Sequence, residues 1–379
     1  MFAGKDGTMQ LTQQQINYCM ECGVCTGSCP VSYEWEEFSP RGMIRRSLDH
    51  ETPLSQTREV WACLTCARCS ERCPVGIDFP EFIRSYRREA RARDNPPRES
   101  HHGILQTLTR LQTAGLQQNR TAWAEEAGTF RDQGDFFYFV GCQPYFSTLF
   151  RYLDLDALDP AKGSLKLLNR LGIEPVISNA ECCCGHDALW TGDEDLFRQL
   201  AEQNLEAIRA SGAHTALFSC PEGYLTFKEQ YPRYFGELPF QVRHLTEFLD
   251  SEIPSAGLEF RPPSEEALTY HDPCRLGRQG GIFEPPRRLI NLPAQGRLRE
   301  MDRTRTNAMC CGTTAWIECS SCSKGVQLER LNEAIETGAD RLITACPKCR
   351  LHFTCAQENT GMEMPVEDIY SYLARHLTD

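Results

Sequence analysis

Short apolar runs alternate with longer helical, polar stretches over the C-terminal part of the chain, and the alternation repeats. Phe136-Phe137-Tyr138-Phe139-Val140 leads into Cys142, and Ala267-Leu268-Thr269-Tyr270 leads into Cys274. Leu217-Phe218 and Leu342-Ile343 follow helical stretches that end at Gly212 and Gly338, a helix C-terminal signal, and lead into Cys220-Pro221 and Cys346-Pro347. These two segments keep a constant offset of 126 (338 − 212 and 346 − 220). Asn179-Ala180-Glu181-Cys182-Cys183-Cys184-Gly185 matches Asn307-Ala308-Met309-Cys310-Cys311-Gly312, and Pro239 before a helix through Phe248 matches Pro365 before a helix through Leu373. Each half therefore reads strand–Cys, helix, strand–CCG, helix, Gly, strand–Cys-Pro, helix. The pattern predicts an α/β unit with a small, largely parallel sheet, present twice. Every cysteine cluster then falls just past the carboxyl end of a strand, where open α/β sheets bind ligands.

The N-terminal part has no such alternation. Ser39-Pro40-Arg41 opens a predicted helix with Pro near its start, and Ile77 to Arg93 reads as helical. Arg84, Arg87, Arg88, Arg91 and Arg93 on that second helix make either a solvated face or a basic patch for an acidic redox partner. The predicted layout is a mostly helical domain over 1–93, a helical linker over 94–133 beginning with Asn95-Pro96-Pro97, a first α/β half over 134–250, a Pro-marked linker over 251–266 (Pro254, Pro262, Pro263) and a second half over 267–379.

Composition narrows the chemistry. The 379 residues are 41% hydrophobic and 24% charged, which fits a globular protein of two or three domains. A net charge of −12 argues against nucleic acid as the main partner. No apolar run is long enough to span a membrane, and Met1 to Gln10 lacks the apolar core of a secretory signal, so the expectation is a cytoplasmic protein. Twenty-one cysteines in so long a chain point to metal or redox ligands rather than to a disulfide scaffold.

Spacing identifies which. Cys19, Cys22, Cys25, Cys29-Pro30 and Cys63, Cys66, Cys69, Cys73-Pro74 both read C-x2-C-x2-C-x3-C-P, the run of bacterial two-cluster ferredoxins. Zinc sites prefer two separated cysteine pairs instead. Thiolates three apart on a tight loop reach three irons of one cubane, and the fourth, a turn later, ligates the other cluster. The expected sets are Cys19, Cys22, Cys25 with Cys73, and Cys63, Cys66, Cys69 with Cys29. In the second half, Cys274, Cys310, Cys311, Cys346 and Cys349 offer five thiolates. The first half offers Cys142, Cys183, Cys184 and Cys220, with Cys182 as an extra neighbour and Gly223 where the second half has Cys349.

On these motifs the chain resembles the heterodisulfide reductase family, with a ferredoxin-type domain fused to duplicated cysteine-rich CCG domains. The resemblance implies two [4Fe–4S] cubanes in the N-terminal domain and a noncubane [4Fe–4S] cluster on Cys274, Cys310, Cys311, Cys346 and Cys349 as the catalytic site. It leaves the first CCG site open to an ordinary four-Cys cluster, a smaller one or none. It implies electron transfer to or from a thiol/disulfide substrate, or else a pure conduit between a flavoprotein dehydrogenase and a quinone-reactive membrane cytochrome subunit. The expected location is cytoplasmic, at the inner face of the membrane through such a partner. No Walker or GxGxxG motif and no flavin fingerprint is present, so electrons are expected to arrive from a partner subunit.

Further residues carry alternatives. His271 is either a proton donor for disulfide chemistry or a strand-end packing residue. His186 is either a replacement ligand at the first site or a satisfied polar residue. Cys319-x2-Cys322 and Cys355, with His352 nearby, are either packing thiols or, for Cys319 and Cys322, a redox pair.

Overall fold

The structure is a computed structural model and describes residues 14–49, 53–262, 266–358 and 360–378. Met1 to Gln10 and Pro263 lie outside the described residues. Each α/β half forms its own all-parallel sheet. The first is ordered β1-β2-β3, with β1 Phe136–Phe139, β2 Thr215–Phe218 and β3 Gln241–His244. The second is ordered β5-β4-β6-β7, with β4 Leu268–His271, β5 Leu298–Arg299, β6 Arg341–Thr344 and β7 Val366–Asp368. In register, Phe136 faces Thr215 and Leu268 faces Arg341. The helix Glu194–Ser211 ends as expected on left-handed Gly212.

Two predicted features change. The strand ahead of each CCG barely forms. In the first half a single parallel bridge joins Phe137 to Val176, because Pro175 has no N–H to donate to a ladder. In the second half β5 has two residues and stops well before Cys310. Conversely, β3 and β7 intervene between Pro239 or Pro365 and the helices expected directly after them. The helix Leu245–Ala256 also runs through Ser251, so the connection between halves starts at left-handed Gly257 rather than at residue 251. Within 94–133, the α-helical part is Ile104–Thr113.

The halves meet through helices in a reciprocal arrangement. Asp159–Arg170 of the first packs on Ile369–His376 of the second, and Leu245–Ala256 packs on Glu284–Ala294. One buried cluster consequently runs through both sheets, from Phe137 and Leu217 through Leu165, Tyr370 and Leu289 to Tyr270 and Ile343. At the first crossing a Cβ on Gly163 would lie 2.6 Å from the Tyr370 carbonyl oxygen, so only glycine permits the approach.

The N-terminal domain is a set of short helices closed by Phe79–Ala92, which Asp78 caps through the Glu81 N–H at 3.2 Å. The arginines of this helix do not form a docking patch. Arg84 is buried against Glu81 and Tyr234. Arg88 pairs with Glu194 at 3.3 Å, Arg91 with Asp193, and Arg93 with Glu89. Arg87, fully buried, donates to the carbonyls of Val60 (2.8 Å), Trp61 (3.2 Å), Cys63 (2.5 Å) and Trp190 (2.9 Å). The helical period turned Arg84, Arg87, Arg88 and Arg91 onto the loop of the second ferredoxin run and onto the first α/β half, and left Arg93 exposed beside Glu89.

Replacing Arg87 with Leu strands several buried carbonyls. The expected cost is about 3 kcal/mol, read as a lowered temperature for loss of the visible cluster absorbance in the loaded protein. An unchanged melting temperature would contradict the clamp.

Candidate iron–sulfur centres

The two ferredoxin-type runs turn on left-handed residues at matching places. Gly23 (φ 78°) and Ala67 (φ 60°) precede the short helices Val24–Ser28 and Arg68–Glu71. Each run then ends at the cysteine before a proline. Two cavities result. One is lined by Cys19, Cys22, Cys25, Cys69 and Cys73 with apolar Met20, Ile44, Val75, Ile77 and Phe79. The other is lined by Cys29, Cys63, Cys66 and Cys69 with Pro30, Leu64 and Phe79. Cys73 thus lies with the first run and Cys29 with the second, while Cys69 borders both. Burial raises Cys29 to about 12, with Cys66 and Cys63 adding to it, and Cys63 to about 11 despite Arg87, whereas the neighbouring Cys310 sulfur draws Cys66 down to about 5. Crowded sulfurs in an apolar cavity carry negative charge only with a cation among them, and thiolate donors in such sets fit iron–sulfur clusters.

The second CCG site is a continuous sulfur network. Cys310 neighbours Cys274 and Cys311, Cys311 neighbours Cys349, and Cys349 neighbours Cys346. These sulfur neighbours pull Cys311 and Cys346 down and push Cys310 up, while burial first and then the neighbours raise Cys349. The network extends beyond the site at both ends. Cys310 also neighbours Cys66 of the ferredoxin-type domain, and Cys346 neighbours Cys220 of the first half. The loop after Cys274 fixes the first junction. Arg278 donates to the Cys66 carbonyl at 2.8 Å and to the Ala308 carbonyl at 2.9 Å, and Arg275 donates to the Thr65 hydroxyl at 2.8 Å.

In the first site Cys183 touches Cys142 and Cys184. Cys182 turns away, its Sγ 3.4 Å from the Leu200 carbonyl oxygen, so it packs behind the site. At the fifth position, a Cβ on Gly223 would meet the Phe218 ring at 3.3 Å and that of Phe139 at 3.9 Å. Phe139, Phe218 and Phe227 pack against one another in tilted and edge-on pairs with ring centroids 4.8–5.1 Å apart. Where the second half has His271, Thr344 and Cys349, the first has Phe139, Phe218 and Gly223. The missing ligand is matched by an aromatic filling.

His271 is fully buried, edge-on to Phe353 at 4.8 Å, and its Nδ1 accepts from Arg330 at 3.3 Å. Burial and then Arg330 lower its pKa far below the ordinary value. The imidazole is neutral with its proton on Nε2, a packed, oriented residue rather than a solvent-fed acid. His186 joins a buried ion cluster that sequence reasoning missed. Lys348 Nζ lies 2.7 Å from Asp187 and 2.6 Å from Glu222, and His186 Nδ1 lies 2.9 Å from Asp187. Despite burial, Lys348 and His186 hold the Asp187 carboxyl well below the usual range. Lys348 itself supplies the cation for this acidic group. Its position between Cys346 and Cys349 was the available signal.

The 4Fe-4S dicluster domain family matches residues 15–77, and the cysteine-rich CCG domain family matches residues 136–228 and 268–354. The chain is 34% identical over 268 residues to a subunit of the dihydromethanophenazine:CoB–CoM heterodisulfide reductase of Methanosarcina acetivorans, covering 69% of this chain and 63% of that protein. It is 28% identical over 249 residues to the EtfAB:quinone oxidoreductase of Syntrophomonas wolfei, covering 61% of this chain and 34% of that one. The chain thus spans less than two thirds of the length of either relative. A solved structure of a hypothetical protein from Helicobacter pylori shares the fold, with a TM-score of 0.57 over 98% of this chain and 76% of its own at 11% identity. Fold and sites define an iron–sulfur protein that joins a helical dicluster domain to two parallel-sheet cysteine-rich domains. Within that class its sequence is similar to that of heterodisulfide reductase iron–sulfur subunits.

Gly223→Cys is expected to lose about 1–3 kcal/mol by overpacking against Phe218, without adding iron or sulfide. Thermal melts and metal analysis of the loaded protein check this; a gain in iron at unchanged stability would contradict the aromatic filling.

Proposed function

We propose that the chain is the electron-transferring and catalytic subunit of a heterodisulfide reductase-like complex, acting on a thiol/disulfide substrate at the second CCG site. The observation that supports this reading is the succession of neighbouring cysteines from Cys66 through Cys310, Cys311, Cys349 and Cys346 to Cys220. When bound, the clusters would supply one-electron relay through two cubanes and, on the five thiolates of the second CCG site, a noncubane [4Fe–4S] centre whose irons can accept a substrate sulfur. Cys19, Cys22, Cys25 and Cys73 would hold one cubane, and Cys63, Cys66, Cys69 and Cys29 the other. Cys274, Cys310, Cys311, Cys346 and Cys349 would hold the third centre, and Cys142, Cys183, Cys184 and Cys220 a smaller or four-thiolate group.

The chain's other residues serve that arrangement. Arg275 and Arg278 keep the Thr65–Cys66 loop against the Cys310 loop, so the separation between donor and acceptor sites is fixed. Phe139, Phe218 and Phe227 exclude water and substrate from the first site. Arg330 holds the His271 proton at Nε2. Among the described residues no helix is long and apolar enough to cross a membrane, so contact with a membrane would come through a partner subunit on the cytoplasmic side.

A second reading is a conduit between a flavoprotein dehydrogenase and a quinone-reactive subunit. The likeness to the EtfAB:quinone oxidoreductase favours it. The two readings are separated by turnover with a reduced dye and either a disulfide or a quinone analogue. Under the first, Cys346→Ser abolishes disulfide turnover while the cubanes stay reducible by EPR, and Cys220→Ser only slows it. Equal turnover in wild type and Cys346→Ser would reject the second CCG site as the place of reaction.

Cys73→Ser tests the crossed ligand sets: it is expected to perturb the EPR signal of the cluster on Cys19, Cys22 and Cys25. Perturbation of the other signal alone would uncross them.

A further inference from the structure

A narrow cleft opens beside the second CCG domain, with enclosed room for about one water molecule. Phe150, Trp316 and His352 wall it, with the Phe150 and Trp316 rings stacked at 5.1 Å and His352 4.8 Å from Trp316. Two thiols line it, Cys319 and Cys355. In sequence Cys319 pairs with Cys322, but the fold separates that C-x2-C. Ser320 caps the helix Ser321–Glu336 through a reciprocal bond with Ser323, and Cys322, in its first turn, lines another cleft with Glu34 and Trp35. Cys319, just before the cap, is exposed, and Cys355 sits half-buried in the last turns of the helix Pro347–Gln357.

Lys324 lines the same cleft and is bonded to Cys355. Its Nζ donates to the Cys355 carbonyl at 2.7 Å and to the Cys355 Sγ at 3.3 Å. Partial desolvation raises the exposed Cys319 thiol; Lys324 opposes that and Cys355 adds to it, so all three groups share one electrostatic neighbourhood. Among the described residues no carboxylate pairs with Lys324. An ammonium with no counter-anion, directed at sulfur, stabilises the negative charge that thiol chemistry develops.

We propose that Cys319 and Cys355, with Lys324 beside Cys355, form a redox-active dithiol that exchanges with small organic disulfides reaching the exposed Cys319 from solvent. The exposed Cys319 thiolate attacks one sulfur of the disulfide R–S–S–R, forming Cys319–S–S–R and releasing R–S⁻. Cys355 then loses its proton and attacks Cys319 Sγ. This forms the Cys319–Cys355 disulfide and releases the second R–S⁻, with Lys324 neutralising the charge. Two protein thiols are oxidised by two electrons, one external disulfide is reduced to two thiols, and the two protons pass to the released thiolates. The site needs no cluster and goes beyond the reading of the CCG sites; its failure leaves that reading intact.

The test uses anaerobic, cluster-loaded, full-length protein with glutathione disulfide. The reaction is quenched with N-ethylmaleimide, and the peptides are mapped by mass spectrometry. The expected result is a Cys319–Cys355 linked peptide, two glutathiones released per link, and Cys322 fully alkylated. Cys355→Ser should stop at glutathione on Cys319, Cys322→Ser should behave as wild type, and Lys324→Met should slow closure of the link about tenfold. A Cys319–Cys322 link, stable glutathione on Cys319 in the wild type, or no reaction at either thiol would overturn the proposal.

Discussion

The loop from Val60 to Cys66 has to face three neighbours at once, and buried arginines make that possible. Arg87 grips its carbonyls from below and reaches Trp190 of the first CCG half. Arg275 and Arg278 grip Thr65 and Cys66 from the second half. A guanidinium presents donors in a rigid fork, so Arg87 and Arg278 fix the direction of backbone carbonyls as well as their distance, and Arg275 fixes the Thr65 hydroxyl. Burial pulls Arg87 down only to about 10, with Cys63 opposing, which leaves it charged at neutral pH. Without these clamps the cysteine runs would be three separate ligand sets. With them, Cys66 reaches Cys310 and the sets become one path.

The two halves resolve the same ligand position differently. Thr344 and His271 in the second half leave room beside Cys349, whereas Phe218 and Phe139 in the first occupy the place such a thiol would need. The difference is therefore a coordinated exchange of volume among at least three positions and not a single lost cysteine. It explains why the surroundings of Gly223 are tightly packed, and why Cys220 neighbours Cys346 across the seam rather than a fifth ligand of its own half.

Much of this was legible in the sequence because the ligand motifs and the strand–Cys pattern are local. The constant offset between Gly212–Cys220 and Gly338–Cys346 announced the duplication, and the parallel sheets followed from the alternation with helices. What failed to show depends on direction in space. The arginines at 84, 87, 88 and 91 look like a surface patch until the helix is seen with acidic and carbonyl partners on both flanks. Cys319-x2-Cys322 looks like a pair until a capping box rotates its members into different clefts. The ion cluster of His186, Asp187, Glu222 and Lys348 draws on both halves, so no single stretch of sequence could display it. β3 and β7 were hidden because their short runs carry polar residues such as Gln241, Arg243 and Glu367 among few apolar ones.

The first half supplies fewer thiolates, yet the protein cannot dispense with it. Its helix Asp159–Arg170 covers the last helix of the second half, and its helix Leu245–Ala256 covers Glu284–Ala294. The buried cluster is common to both sheets, with Leu165, Leu168, Leu249 and Phe248 set against Tyr370, Leu373, Leu289 and Ile290. Each buried side chain of this kind contributes about 1.5–3 kcal/mol relative to exposure. Removing the first half would expose one whole face of the second. Gly163 shows how exacting the contact is, since no side chain fits between its helix and the Tyr370 carbonyl. A ligand set can therefore erode, with phenylalanines taking up the space, while the helices that form the shared core stay under full packing constraint. In this architecture the reacting site and the supporting half are held in one core, and a change in the metal chemistry of one half need not cost the stability of the other.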